Sequence, residues 1–316
     1  MPEKQFDVVG IGLNATDTLL RVPHFPAFGG KAPFHGEQYS VGGQVASAIV
    51  TCAKLGLRSK YIGTIGDDER GRLQLESLEA SGVDIRHVQQ RTNCPNQSAY
   101  IIIDEATGER TVFWHFAEGL ALSPDEITED QITGAKLLHI DGHHTAAVER
   151  AARIARSHGI PVTVDVDTIY AGFDQVLHHV DYLVASSEFP GRWTGMEDPF
   201  HALESLRKRF GMKVAAMTLG AHGALSLDEN GFVYSPAFVV NCVDTTGAGD
   251  VFHGAFCYAV LQQMSMAEAL GFSNAMAALN CTAVGARGGI ATLEEARHLL
   301  ARGERRSQPE IAKRAR

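Results

Sequence analysis

Six short apolar runs, at residues 6–12, 60–65, 136–140, 161–165, 181–185 and 213–219, are separated in several places by stretches with helical spacing, at 44–55, 69–81, 145–158 and 199–210. That alternation constrains the fold more than any other feature. Strands apolar along their whole length must be covered on both faces, and strands separated by helices pair in parallel. The expected class is α/β, a three-layer arrangement in which a mostly parallel central sheet lies between helices. Ligands of such a sheet gather at the carboxyl ends of its strands. Asp198 before Pro199 reads as an N-cap followed by a first-turn proline, which fixes one helix start.

Two segments break the rhythm. Residues 13–41 carry prolines at 23, 26 and 33 and glycines at 29, 30 and 36, with an alternating pattern around them. Residues 97–116 read as a hairpin, SAYIIID and RTVFWHF on either side of a turn at 105–109. Both leave the α/β core and return to it, as a small β-sheet lid would, and Gly42-Gly43 at the first return is a natural hinge. The alternative is a pair of ordinary surface insertions. The expected division is a core of 1–12, 42–96 and 117–301, a lid of 13–41 and 97–116, and a tail of 302–316. That tail holds six basic and two acidic residues and reads as a disordered, solubilising end.

Composition narrows the function. A net charge of −9 argues against a nucleic-acid partner, whose phosphates need clustered Lys and Arg. The five cysteines are scattered, with no Cys-x-x-Cys spacing, so neither a disulfide framework nor a zinc knuckle is indicated. No apolar stretch approaches the ~20 residues of a membrane span. These readings point to a cytoplasmic protein with no membrane partner.

The chemistry is concentrated in residues 243–250, Val-Asp-Thr-Thr-Gly-Ala-Gly-Asp, which join a β-rich segment to a buried helix bearing Phe252, Ala255, Phe256, Ala259 and Val260 at helical spacing. Amides of Gly247, Ala248 and Gly249 at that helix N-terminus form an anion cradle. Asp250 beside them makes sense as the acceptor of a proton from a hydroxyl attacking a phosphate. The bland alternative is a first-turn acid that merely offsets the dipole. The combination reads as phosphoryl transfer to an alcohol.

These residues resemble the ribokinase-like (PfkB) carbohydrate kinases. Asp244 through Asp250 reproduces the D-T-x-G-A-G-D signature, and Gly42-Gly43 with the A-S-A-I-V-T-C-A-K-L-G run resembles the family's first signature. The opening V-x-G-x-x-x-x-D, the I-G-D-D at 65–68 and T-L-G-x-x-G at 218–223 follow in order, so that the likeness spans about residues 5 to 300. The resemblance implies Asp250 as general base and Gly247, Ala248 and Gly249 as an anion hole. It implies Asp17, Gly42, Gly43, Gln44, Ser47 and Asp141 at the sugar, and Thr218, Gly220, Gly223 and Asn274 at the nucleotide. ATP and Mg²⁺ are the implied cofactors, with a monovalent cation left open and no metal held directly by side chains. A homodimer formed through the lid is also implied.

The sequence departs from the family where Ser47 replaces an asparagine, where Gln44 follows the glycine pair, and where no Asn-x-x-Glu motif occurs, Glu188 being the one acid nearby. His139-Ile140-Asp141-Gly142 and the VDVD strand at 164–167 resemble ketohexokinase-like members and favour a ketohexose-like sugar. An H-x-D-x-H metal site at 139–143 is the weaker reading of that segment, because no fourth ligand is evident. Trp114 could stack on a substrate or pack within the lid, and Arg110 could meet an anion or be solvated. Nucleoside kinase and sugar-phosphate kinase are the nearest rivals, and a non-catalytic sugar sensor is a more distant one. A dinucleotide-binding oxidoreductase drawn from Gly10-Ile11-Gly12 lacks its third glycine.

Overall fold

The structure is a computed structural model and describes residues 4–306 and 310–315. Its strands, in chain order, are β1 (Phe6–Ile11), β2 (Ala15–Val22), β3 (Gly36–Gly42), β4 (Ser59–Gly66), β5 (Asp84–Arg91), β6 (Ser98–Asp104), β7 (Arg110–His115), β8 (Ala135–Ile140), β9 (Val162–Val166), β10 (Tyr182–Ala185), β11 (Val214–Thr218), β12 (Ala224–Asp228) and β13 (Gly231–Ser235). Nine of them form one sheet in the order β13-β12-β11-β10-β9-β8-β1-β4-β5, parallel from β5 to β11 and antiparallel at β12 and β13. Every residue of β4 and β9 is buried, the polar Ser59, Lys60, Thr64, Thr163 and Asp165 included, as strands covered on both faces require.

Helices cover both faces. On one, Thr145–Ser157 turns Ala147, Val148, Ala151, Ala152 and Ala155 onto a core that it shares with Pro199–Phe210. On the other, Gln44–Lys54 and Ala248–Leu261 lie against each other, the first also against β1 and β4 and the second against β8 and β9. Their contact is close. A Cβ at Gly254 would lie 2.4 Å from the Ala48 carbonyl oxygen. Asp198 caps its helix as expected, accepting from the amides of Phe200 and His201 at 2.9 and 3.2 Å.

The two excursions build a separate sheet, β3-β2-β6-β7, which rises from the carboxyl ends of β1 and the strands beside it. Strand alternation gives it two distinct faces. Asp17 and Leu19 share one face with Ala99 and Ile101 of β6 and with Trp114, Val112 and Arg110 of β7. Leu19, Ala99 and Ile101 pack together there with Val284 of the main domain. Thr18 lies on the opposite face with Tyr39, Tyr100 and Phe113.

The C-terminal segment differs from the disordered end read from its charge. Arg302 closes the helix Leu293–Arg302, Arg305 lies 3.6 Å from the Phe238 ring centroid and bonds the Pro236 carbonyl, and Arg314 pairs with Asp198 over the Phe200 ring. Its guanidinium groups find aromatic faces and carbonyls that composition does not reveal. Residues 307–309 and 316 of that expectation lie outside the described residues.

Candidate active site

The helix Ala248–Leu261 begins where the chain leaves a turn fixed from three sides. Asp244, fully buried, accepts from the Thr246 amide at 2.8 Å and the Gly285 amide at 2.7 Å. Asn280 donates to the carbonyls of Thr246 and Ala286, each at 3.2 Å. Gly247 is left-handed at φ 73, and a Cβ there would meet the Ala286 carbonyl oxygen at 2.2 Å, so glycine is required twice over. A Cβ on Gly249 would meet nothing within 4 Å, which leaves open space above the cradle.

The cradle is less free than the sequence implied. Among the described residues the amides of Gly247 and Gly249 donate to no protein group, but the Ala248 amide makes a long 3.3 Å bond to the Thr245 carbonyl. The turn that positions the glycines closes on itself through that amide. Two unengaged donors remain, with the buried Thr246 hydroxyl also lacking a partner. This donor set fits a phosphate group approaching a helix N-terminus.

Asp250 stands half-buried in the first turn of the helix. Burial first, then the charge of Asp165, pushes its carboxyl up to about 8, against the opposing pull of Arg110 and Arg287. Asp17, buried on β2, is pushed up to about 6 by burial, with Arg287 and Arg70 opposing. Gly42 lies beneath it, where a Cβ would fall 2.7 Å from Asp17 Oδ2. Gly43 caps the helix Gln44–Lys54 at φ 94, with Asn14 too near to admit a side chain. Ser47 is fully buried and accepts from Arg287 Nε at 3.1 Å, and Gln44 reaches Asp167 at 3.4 Å. Gly42 thus lies against Asp17, Ser47 is bonded by Arg287, and the charges of Asp17 and Arg287 both act on Asp250.

Asp141, expected at the sugar, is engaged by the backbone. It is 0% exposed, and its oxygens accept from the Leu13 amide at 2.7 Å and the His143 amide at 2.8 Å. It holds the exit of β1 to the end of β8. The neighbouring histidines diverge: His139 meets the Thr163 hydroxyl at 2.9 Å, His143 faces Tyr170, and His144 accepts from the Leu122 amide. No cluster of three or more His, Cys, Asp or Glu side chains able to hold a metal occurs among the described residues.

The residues expected at the nucleotide lie further along the sheet. Thr218 ends β11, and Gly220 and Gly223 bracket one 3₁₀ turn closed by Leu219 N to the Gly223 carbonyl at 2.7 Å. β11 stands three interstrand spacings from β8, roughly 15 Å, a span comparable to a nucleotide triphosphate. Asn274 donates its amide to Ser235 O and Oγ at 3.0 and 3.1 Å, so it secures the end of β13 instead of standing free.

Residues 6–293 match the pfkB family carbohydrate kinases. The chain belongs to that family. It is an ATP-dependent carbohydrate kinase with a ribokinase-like fold, as the two signatures and the small separate sheet implied. It is 28% identical to a ribokinase of Haemophilus influenzae, over 94% of this chain and 98% of that one. It is 30% identical to an ATP-dependent ribose-1-phosphate kinase of Halopiger xanaduensis, over 86% of this chain and 90% of that one. The crystal structure of a ribokinase from Thermotoga maritima superposes with a TM-score of 0.79 at 26% identity, covering 94% of this chain and all 100% of that one.

Two groups in this carbohydrate kinase, Arg287 and His253, escaped the sequence reading, and a third, Arg110, was left open by it. Arg287 places its buried guanidinium on Ser47, Ser77 and the Gly42 carbonyl. His253, one turn beyond Asp250, pairs with Asp165 at 3.1 Å, both buried. Arg110, left open earlier, bonds the Thr245 hydroxyl at 2.8 Å and so ties the β6–β7 hairpin to the glycine turn. Each depends on a contact between distant segments; the position of Arg110 on a hairpin strand is the one partial signal.

Proposed function

We propose that this protein transfers the γ-phosphoryl group of ATP to a hydroxyl of a ketohexose- or pentose-sized sugar, with Asp250 as general base. The observation that carries the reading is the arrangement at the helix start: a carboxylate raised to about 8 stands beside two unengaged amides. Such a group is partly ionised near physiological pH and well placed to take a hydroxyl proton late in the transfer. Phosphoryl transfer asks mainly for in-line positioning and charge stabilisation, which the amides of Gly247 and Gly249 and the guanidinium of Arg110 would provide.

Asp17, Gly42, Gly43, Gln44 and Ser47 form the sugar side in this reading. Residues 13–41 and 97–116 act as a lid, hinged at Gly42-Gly43, over a core of 1–12, 42–96 and 117–301. Thr218, Gly220 and Gly223 border the nucleotide, with Asn274 fixing the strand end behind them. Asp167 and Glu188, just beyond the carboxyl ends of β9 and β10, would be the acids that hold the waters of a magnesium ion. When bound, that ion neutralises phosphate charge. Tyr39, Tyr100 and Phe113, each more than half exposed on the outer lid face, are the surface for pairing with a second copy.

The ketohexose preference rested partly on Asp141 and the VDVD strand. Asp141 holds backbone amides and Asp165 is paired with His253, so pentoses and pentose phosphates, which the named relatives act on, stand beside ketohexoses. Nucleosides belong with them because Trp114, 70% exposed, shares the lid face of Asp17 and could stack on a base. A coupled assay over fructose, other ketoses, ribose, ribose 1-phosphate, fructose phosphates and nucleosides tests the proposal. Phosphorylation of at least one, with ADP formed in equal amount, is the expected result; ATP turnover with none of them overturns it.

A further inference from the structure

We propose that Arg287 is a positioning residue of this cleft: its guanidinium clamps the root of the small sheet to the helix layer and supplies the fixed positive charge of the cleft floor. The inference rests on the assignment of Asp250 as base. Arg287 lies in the loop after the helix Met266–Asn280 and is 9% exposed. Its three bonds join three elements distant in sequence. Nη2 donates to the Gly42 carbonyl at 3.0 Å, Nε to the Ser47 hydroxyl at 3.1 Å, and Nη1 to the Ser77 hydroxyl at 3.0 Å. Gln74 donates to the same Gly42 carbonyl at 3.1 Å. The end of β3, where the lid rejoins the core, is therefore held by two side chains from below.

All three acceptors are neutral, and among the described residues Arg287 makes no ion pair. A buried guanidinium without a carboxylate partner is a poor device for stability alone, since an apolar side chain of similar volume fills the same space without desolvating a charge. Burial draws its pKa down to about 10, so it remains charged at neutral pH, and Asp250, Tyr61 and Asp17 offset that effect. Glu76 of the helix Glu69–Ala80 lines a cavity of about 520 Å³ together with Arg287 but forms no ion pair with it.

The cleft acids see few other cations. Asp250 faces Asp165, Arg110, Arg287 and Asp17; Asp17 faces Arg287, Arg70, Asp244 and Arg110. Arg110 is exposed on β7. Arg70 is half-buried and committed to the Thr16 carbonyl, the Thr18 hydroxyl and the Tyr39 and Tyr100 rings. Arg287 is the buried one of the three, held at fixed geometry wherever the hairpin lies. Ser47, which stands where an asparagine was expected, is its acceptor, so the departure at that position gains a physical role.

The test uses two variants of the full chain, Arg287→Met and Arg287→Lys, with thermal melts and the pH dependence of kcat/KM for the sugar found active. Removing the cation raises the pKa of a nearby carboxyl. The acid limb should therefore move to higher pH in Arg287→Met by about one unit. Activity at pH 7 should fall about tenfold and largely return above pH 9. Arg287→Lys keeps the charge and loses the three-way fork, so its limb should stay in place while the sugar KM rises severalfold. An Arg287→Met enzyme slowed equally at every pH, with an unmoved limb, would show a merely structural arginine and overturn the inference. If that variant does not fold, the lysine enzyme decides: a raised KM on an unmoved limb supports the inference, and an unchanged KM overturns it. Wild-type turnover by Asp250→Asn would instead remove the base assignment, and this proposal with it, before any Arg287 variant is made.

Discussion

Asp250 and Asp141 are both aspartates near the carboxyl edge of the same sheet, one half-buried and one fully buried, and both are sequence candidates for the cleft. Their surroundings separate them. Asp141 accepts from two backbone amides, one on each oxygen, and holds two chain segments together. Asp250 accepts no protein hydrogen bond among the described residues, and burial drives its carboxyl up to about 8. A carboxylate satisfied by amides contributes to architecture. One left without donors, beside amides equally left without acceptors, is poised to meet a ligand that supplies both.

The sharpest way to break that contrast is to remove each charge in turn. Asp250→Asn should lower turnover by at least about a hundredfold, as loss of a positioned base does, while melting temperature and ATP affinity stay near wild type. Asp141→Asn keeps one accepting oxygen and sets an NH2 donor against the other of the two backbone amides. It should destabilise the fold by about 1–3 kcal/mol, read by denaturant melts, with a much smaller loss in kcat. If Asp141→Asn proved as inactive as Asp250→Asn while fully stable, the division between the two acids would fail.

The two cradle glycines offer the next test. Gly247→Ala forces a Cβ onto the Ala286 carbonyl in a left-handed residue and should lose both stability and activity. Gly249→Ala has room in the free protein, since nothing lies within 4 Å of the added carbon. Its cost should appear when phosphate approaches: a raised KM for ATP, about tenfold, with unchanged melting. Equal melting losses in both would show that the space over Gly249 is not a ligand's.

Much of this was legible because it is local. The 244–250 run carries its own geometry, with glycines where the backbone turns and a helix immediately after, and six apolar runs marked most of the parallel sheet. β5 was not seen because DIRHVQQR is polar on its outer side, as an edge strand can be. The hairpin of β12 and β13 was missed despite its Asn230-Gly231 turn signal. The fates of Asp141 and Arg287 had no local sign. One depends on where the Leu13 amide points, the other on three acceptors more than two hundred residues away in the chain.

The smallest expected effect concerns protonation. Because the Asp250 carboxyl is raised to about 8, it is mostly neutral at pH 6.5 and mostly ionised at pH 9 in the free enzyme. The acceptor of the hydroxyl proton is the ionised form, so kcat/KM should climb through this window and level off above it. Asp165 is the charge that most raises it, after burial. Asp165→Asn should therefore move the limb to lower pH, by roughly half a unit to one unit, and so improve relative activity at pH 6.5. Asp141→Asn should leave the limb where it is, since a carboxylate already bound by amides has no direct part in that ionisation. A pH series of the three enzymes measures this directly. A limb that follows Asp141 and ignores Asp165 would reverse the roles drawn for the two sides of the cleft.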